Sequence, residues 1–519
     1  MTTRSAAVAR GLLATTAALG LVLTAACSSA PSVAPVAPTA ASGAPPASAP
    51  PTAALSGYYD QKLAWSPCNG DDQCADLTVP LDYAGPDAAS DLTLKVLRVP
   101  AKDRSGRIGS LVVNPGGPGA SAVDYAAAAD AIVGADVRRY FDVVGFDPRG
   151  VGRSHPLDCI SDRQLDGFMG ADQTPDDAAE QQALLAQARV LADGCKAKNP
   201  TLLPHLSTED SAKDMDVLRA ALGDAQLNYL GKSYGTFLGA TYAGLFPQRV
   251  GRFVLDGVVP PDLTNKELSE GQARGFELAT RTYVADCVAQ GSCPLGSTVE
   301  EGMAWLRAFL KQVDTTPIPT GDASVPELNE AWASWGLGQA MYDQSSWDTL
   351  TDALREAKAG NGSRLMAFAD DYAGRSPGGA YTSNIMEVLP AVNCLDRPDG
   401  PDVSTYAGYA EEFAKVAPTW GPTLAWGGLP CAVWPAKEGA GPHTISAAGS
   451  GPIVVVGTTR DPATIYEWSK RLKDQLANGV LLSYDGDGHT AYGRSNACID
   501  DAIDGYYVRG VVPKDGLTC

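Results

Sequence analysis

Short runs of apolar or alternating apolar and polar residues recur at 77–83, 92–99, 109–113, 141–146, 227–230, 252–256, 453–456 and 480–484. Runs of this length read as strands, the alternating ones wet on one face and the wholly apolar ones buried on both. Between them lie stretches with helical spacing: 176–198, then 211–222, where Asp214, Val217, Leu218 and Leu222 mark one face, and the apolar 237–246, stopped by Pro247. Strand and helix in alternation predict a largely parallel sheet. From about 260 to 392 that rhythm disappears. Helical patterns fill the interval: 265–289, 298–313 with Ser297 or Thr298 as its cap and Glu300 and Glu301 in its first turn, and 329–373 in pieces. Tryptophans gather between Trp305 and Trp347. Their plain reading is core, with some lining a cleft. The pattern predicts an α/β fold in which a helical cap interrupts a mostly parallel central sheet.

The two ends and the composition refine this picture. Residues 1–27 carry Arg4 and Arg10, no acid, and an apolar run too short for a comfortable membrane span, so they read as a secretory signal. The signal ends Leu23-Thr24-Ala25-Ala26-Cys27, similar to a bacterial lipobox with its leucine one place too far upstream. Cys27 is therefore the candidate lipidation site, with cleavage and release as the alternative. Residues 28–56 are rich in Pro, Ala and Ser and read as a tether. The remaining body divides into 57–260, the first part of the core, 261–395, the helical cap, and 396–519, the C-terminal part of the core. A net charge of -20 disfavours nucleic acid and anionic membrane as partners. Membrane contact is expected only through an N-terminal lipid, and a monomer is expected. Setting Cys27 aside, the 11 cysteines leave an even number in an exported chain. Closing the shortest loops pairs Cys68 with Cys74, Cys159 with Cys195, Cys287 with Cys293, Cys394 with Cys431 and Cys498 with Cys519. No C-x-x-C occurs and there are only four histidines, so neither a metal nor another cofactor is expected.

The candidate chemistry centres on Gly231-Lys232-Ser233-Tyr234-Gly235-Thr236, which lies between a strand pattern and a helix pattern. In that context G-x-S-x-G reads as a nucleophile elbow, a sharp turn that needs small neighbours and lifts the serine hydroxyl to the edge of a sheet. The elbow orders its partners as Ser, acid, His. His155 and His205 come too early, and His443 has no acid between itself and the strand at 453–456. His489, in the glycine-rich Asp485-Gly486-Asp487-Gly488-His489, follows the last strand and is the candidate base. Asp461 leaves the preceding strand and is the candidate acid, with Asp485 and Asp487 as competitors. Thr464 either orients that carboxylate or caps the next helix, and capping is the plainer reading. Asn114-Pro115-Gly116-Gly117 leaves another strand as a turn whose amides can face a ligand. Arg149, in Asp147-Pro148-Arg149-Gly150-Val151-Gly152, reads as a structural ion-pair partner rather than a substrate contact.

Together these motifs, with the Gly488-His489 … Cys498 … Cys519 ending, resemble the secreted tripeptidyl aminopeptidases of actinobacteria, from about residue 57 to the end. Those are α/β-hydrolases with a helical cap, related to proline iminopeptidases and including mycobacterial envelope serine proteases. The resemblance implies a Ser233–Asp461–His489 triad, an oxyanion hole from the amides of Gly117 and Tyr234, and peptide or protein substrates cut near a free N-terminus. It departs at Asn114, where iminopeptidases carry a histidine. Glu277, on an expected cap helix, is nominated to bind the substrate amine, against the plainer reading of a solvated acid. An esterase or lipase would use the same triad, and a non-catalytic binding lipoprotein would fit the same signal and tether.

Overall fold

A computed structural model describes residues 50–398, 402–436 and 439–519. Twelve strands form in chain order: β1 (Ser66–Asn69), β2 (Asp72–Val79), β3 (Leu92–Val99), β4 (Gly109–Asn114), β5 (Phe141–Phe146), β6 (Leu227–Lys232), β7 (Val250–Asp256), β8 (Ile318–Pro319), β9 (Glu327–Leu328), β10 (Ile453–Arg460), β11 (Gly479–Asp487) and β12 (Leu517–Thr518). Ten of them make one sheet in the order β1-β2-β3-β5-β4-β6-β7-β10-β11-β12, and β8 and β9 form a separate small hairpin. The first three strands pair antiparallel; from β5 to β12 every pairing is parallel.

The central strands are apolar throughout because the sheet is covered on both faces. Every residue of β4 and β5 is buried. Alternate side chains go to opposite layers: Val112, Val144, Tyr229 and Phe253 join one apolar cluster, while Leu111, Val113, Val143, Leu230 and Val254 join another. The first layer is completed by residues of Thr208–Leu222, Tyr234–Leu245 and Tyr466–Gln475, and the second by residues of Ala122–Ala127, Ala135–Tyr140 and Ala497–Arg509.

Two boundaries differ from the sequence pattern. The edge strand expected at 77–83 lies earlier, at Asp72–Val79, where the Cys68–Cys74 disulfide closes its turn with β1. Pro80 has no N–H to continue a ladder, and the Pro80 and Leu81 carbonyls turn instead to Arg149. That arginine is fully buried and pairs with Asp214 through both forks, at 2.8 and 2.6 Å, while a further bond goes to the His205 carbonyl. Its donors are thus spent within the fold. Helices also continue beyond residue 395, through Val403–Phe413, Gly421–Leu424 and Leu429–Val433, before the sheet resumes at Ile453. Disulfides join Cys159 to Cys195, Cys287 to Cys293, Cys394 to Cys431 and Cys498 to Cys519. No helix among the described residues is long and apolar enough to cross a membrane.

Candidate active site

Ser233 stands between β6 and the helix Tyr234–Leu245 with φ 56° and ψ -128°. A non-glycine residue in this region is strained, and it persists only where its surroundings hold it. They do so here. The Ser233 amide donates to the Asp256 carbonyl at 3.0 Å, and the Ser233 carbonyl accepts from the amide and hydroxyl of Thr236 at 2.8 and 2.6 Å. The flanking glycine Gly231 is required by packing, because a Cβ there would collide with the Gly235 carbonyl.

The turn after β4 comes to the same place. Gly116 has φ 101°, and a Cβ on it would lie 2.8 Å from the Ser233 Cβ and 3.0 Å from the Tyr234 amide. Its own N–H is taken by Asn114 Oδ1 at 3.0 Å. So the asparagine that departs from the iminopeptidase pattern organises this turn. Gly117, Ser233 and Tyr234 line one cavity of about 270 Å3. The Tyr234 amide opens a helix, where the first N–H groups lack an intrahelical acceptor. Both residues thus border the cavity beside Ser233.

Asp461 leaves β10 and is buried, 1% exposed. His489 Nδ1 lies 2.9 Å from both of its oxygens. One oxygen accepts from the Ala463 and Thr464 amides at 2.9 and 2.8 Å; the other accepts from the Thr464 hydroxyl at 2.9 Å and the Thr490 amide at 3.1 Å. Burial alone would raise this carboxyl, but His489 and these donors hold it below the usual carboxylate range. It therefore stays ionised at neutral pH and fixes the imidazole by its Nδ1 edge. The other edge, Nε2, is buried with no hydrogen-bond partner among the described residues. An ideal Cβ on Gly257 would lie 3.3 Å from the His489 ring, and Gly257 follows the residue whose carbonyl holds the Ser233 amide.

Thr464 does not cap the helix that follows. That helix starts at Tyr466 with no side-chain cap, and the Thr464 hydroxyl serves Asp461 instead, 3.3 Å from His489 Nδ1. The competing acids are held elsewhere: Arg460 takes Asp485 at 2.8 Å and Asp487 at 2.7 Å. Of the other histidines, His155 accepts from the Thr93 amide and His443 sits exposed against the Gly441 carbonyl. Glu277 lies outside the Ser233 cavity. Its carboxylate accepts from the Thr419 amide at 2.8 Å, the Thr419 hydroxyl at 3.1 Å and the Trp420 amide at 3.3 Å. The structure does not bring it to the wall of the cavity that Ser233 lines.

Sequence reasoning also missed Tyr342. Its carbonyl accepts the His489 amide at 2.8 Å, and its ring meets the imidazole edge to face at 5.1 Å. No motif links residues so far apart in the chain. Phe276, Trp335, Tyr372 and Trp420 from the helical segment also line the cavity. Of the tryptophans between 305 and 347, only Trp335 lines it; Trp332 and Trp347 are core. Outside the lining of this cavity, Asp172, Asp314 and Glu330 bring their carboxylates within 4.8 Å of one another.

Known proteins share this arrangement of sequence. A family model described as TAP-like protein matches residues 417–519. The serine protease Hip1 of Mycobacterium tuberculosis is 36% identical over 478 residues, covering 88% of this chain and 91% of its own. The tripeptidyl aminopeptidase of Streptomyces coelicolor is 34% identical over 475 residues, covering 88% and 86%. Carboxylesterase B of M. tuberculosis is 37% identical over 458 residues, covering 86% of each. The chain belongs to the TAP-like α/β-hydrolases. It is a serine hydrolase of that family, and an exported one. Disulfides such as Cys394–Cys431 are of the kind that form and persist in oxidising compartments.

Proposed function

We propose that this TAP-like hydrolase is a serine peptidase that cuts peptide bonds near a free N-terminus through an acyl-enzyme on Ser233. The observation that carries the proposal is the strained Ser233 beside a cavity, with the hydrogen-bonded Asp461–His489 pair just past the ends of β10 and β11. Ser233 Oγ attacks the substrate carbonyl carbon as its proton passes to His489 Nε2. Asp461 holds the imidazole in the tautomer with Nδ1–H and stabilises the imidazolium that forms. The Gly117 and Tyr234 amides receive the oxyanion, each donor worth about 10²–10³ in kcat in comparable sites. The C–N bond breaks as His489 returns the proton to the leaving amine. Water then attacks the acyl-enzyme by the same route and releases the acid.

Peptides are favoured as substrates by the relatives named serine protease Hip1 and tripeptidyl aminopeptidase. The relative named carboxylesterase B supports a second reading, ester hydrolysis by the same residues. The segment 261–395 is proposed as the cap over the cavity, and Cys27 as an acylated N-terminus. Cys27 and the leader and tether before residue 50 lie outside the described residues. The test uses the body without leader and tether, with a free-amine tripeptide amide, its N-acetylated twin and a short-chain ester, alongside Ser233→Ala. Turnover of the free-amine peptide alone, lost in the variant, is expected. Turnover of the ester alone would replace the peptidase with an esterase.

A further inference from the structure

Asp256 is the last residue of β7 and is fully buried, yet neither the elbow motif nor the Ser–acid–His order assigns it a task. Its backbone and its side chain face two different catalytic elements. The carbonyl accepts the Ser233 amide at 3.0 Å and so fixes the strained turn of the nucleophile. The carboxylate accepts the Ala491 amide at 2.9 and 3.1 Å and the Tyr492 amide at 2.9 Å. Those two amides lie in the loop that presents His489.

Lys232 completes the grip. It is the last residue of β6, in register with Asp256 across the two strands, and it immediately precedes Ser233. Its Nζ donates to the Tyr492 carbonyl at 2.6 Å and lies 3.9 Å from Asp256 Oδ2. The Ala491–Tyr492 segment is thus held by its N–H groups on one carboxylate and by a carbonyl on one ammonium. Burial pushes the Asp256 carboxyl up and the Lys232 ammonium down, and each charge opposes the shift of the other. The other groups that act on the pair are His489 toward Asp256, and Arg494 and Asp500 toward Lys232. The Tyr125 and Tyr507 phenols feel the Asp256 charge in turn.

We propose that Asp256, together with Lys232, is the positioning pair that sets Ser233 and His489 against one another. The inference rests on the Ser233–His489–Asp461 reading and adds a residue pair to it. Two strand ends then act as one reference point for nucleophile and base, which leave the sheet from different elements. A displacement of about 1 Å in such a site costs on the order of 10²-fold in rate.

The experiment compares Asp256→Asn, Lys232→Met and the double variant with wild type. It reads kcat and KM on a turned-over ester or amide, the kcat/KM–pH profile, the rate of fluorophosphonate labelling and thermal unfolding. Asp256→Asn is expected to lower kcat about 10²-fold with KM within about 2-fold. Removing a negative charge near the imidazole moves the acid limb of kcat/KM to lower pH, and removing the positive charge in Lys232→Met moves it to higher pH. The double variant leaves neither charge buried alone, so it loses less than the product of the single losses. A purely structural role would lower the unfolding temperature and leave both limbs in place. If Asp256→Asn does not fold, the Lys232→Met profile alone decides: an unmoved acid limb overturns the proposal. Folded variants with wild-type kcat and superposable profiles also overturn it, while wild-type labelling keeps the triad reading intact. Failure of wild type to label would instead remove the triad, and this proposal with it.

Discussion

Asp461 accepts four hydrogen bonds besides its contact with His489, and the Thr464 hydroxyl is the only one of the four donors that a side-chain change can remove. A hydrogen bond to a charged group contributes about 1.5–3 kcal/mol. Thr464→Val keeps the shape and removes the donor. Part of that loss falls on catalysis, because the same carboxylate orients the imidazole. The expected result is a fall in kcat of about 10-fold with KM little changed, measured by steady-state kinetics on one fluorogenic substrate. Ser233, Asp461 and His489 could be singled out because the elbow turn forces glycines around the serine and the expected fold orders an acid and a histidine along the chain. Thr464 and Glu277 were not legible in that way. Whether Thr464 capped a helix depended on where the helix began, and the donors that hold Glu277, Thr419 and Trp420, arrive beside it from a distant segment.

Among the elements, the helix Ile385–Asp396 bears most directly on the site. It supplies Met386, Leu389, Pro390 and Asn393 to the cavity wall, and its Cys394 is bonded to Cys431, which lines the same wall from Leu429–Val433. The helix is also tied to the elbow: Asp396 accepts from the amide and hydroxyl of Thr208 at 2.9 and 2.6 Å, and that hydroxyl meets the Tyr234 phenol at 2.6 Å. A disulfide spanning 37 residues contributes about 4 kcal/mol in the chain-entropy picture. Replacing Cys394 and Cys431 by alanine is therefore expected to lower the unfolding temperature and to raise KM more than it lowers kcat, since the wall moves and the triad does not. Calorimetry and steady-state kinetics on the double variant check this. The βαβ rhythm made the sheet readable, because strands buried on both faces must be apolar. The helical segment was readable only as helices. Its packing depends on contacts such as Tyr342 with His489, and nothing in a periodic pattern encodes those.

For the molecule as a whole, several buried or half-buried carboxyls have their protons held more tightly in the fold than in the open chain. Burial pushes Glu330 up to about 7, with the like charges of Asp314 and Asp172 adding to it. Burial likewise pushes Asp396 and Asp504 up to about 6. Between about pH 4 and pH 7 the folded state therefore binds more protons than the unfolded one, and stability falls as pH rises through that window. Asp461 acts in the opposite sense: its lowered carboxyl contributes stability above its unfolded value, and this is lost only in stronger acid. The unfolding temperature is expected to be higher at pH 5 than at pH 7.5. The net charge of -20 also shrinks on acidification and pushes the same way. Glu330→Gln separates the two effects, because it should flatten the pH dependence far more than the replacement of an exposed acid.

The central claim is that a single serine, Ser233, is activated by His489 and Asp461. Treating the folded body with a fluorophosphonate and mapping the adduct by peptide mass spectrometry tests it most directly. The account predicts one adduct, on Ser233, abolished by Ser233→Ala and slowed by several orders of magnitude in His489→Ala. An adduct on another residue, or labelling of Ser233 that persists unchanged without His489, would contradict it.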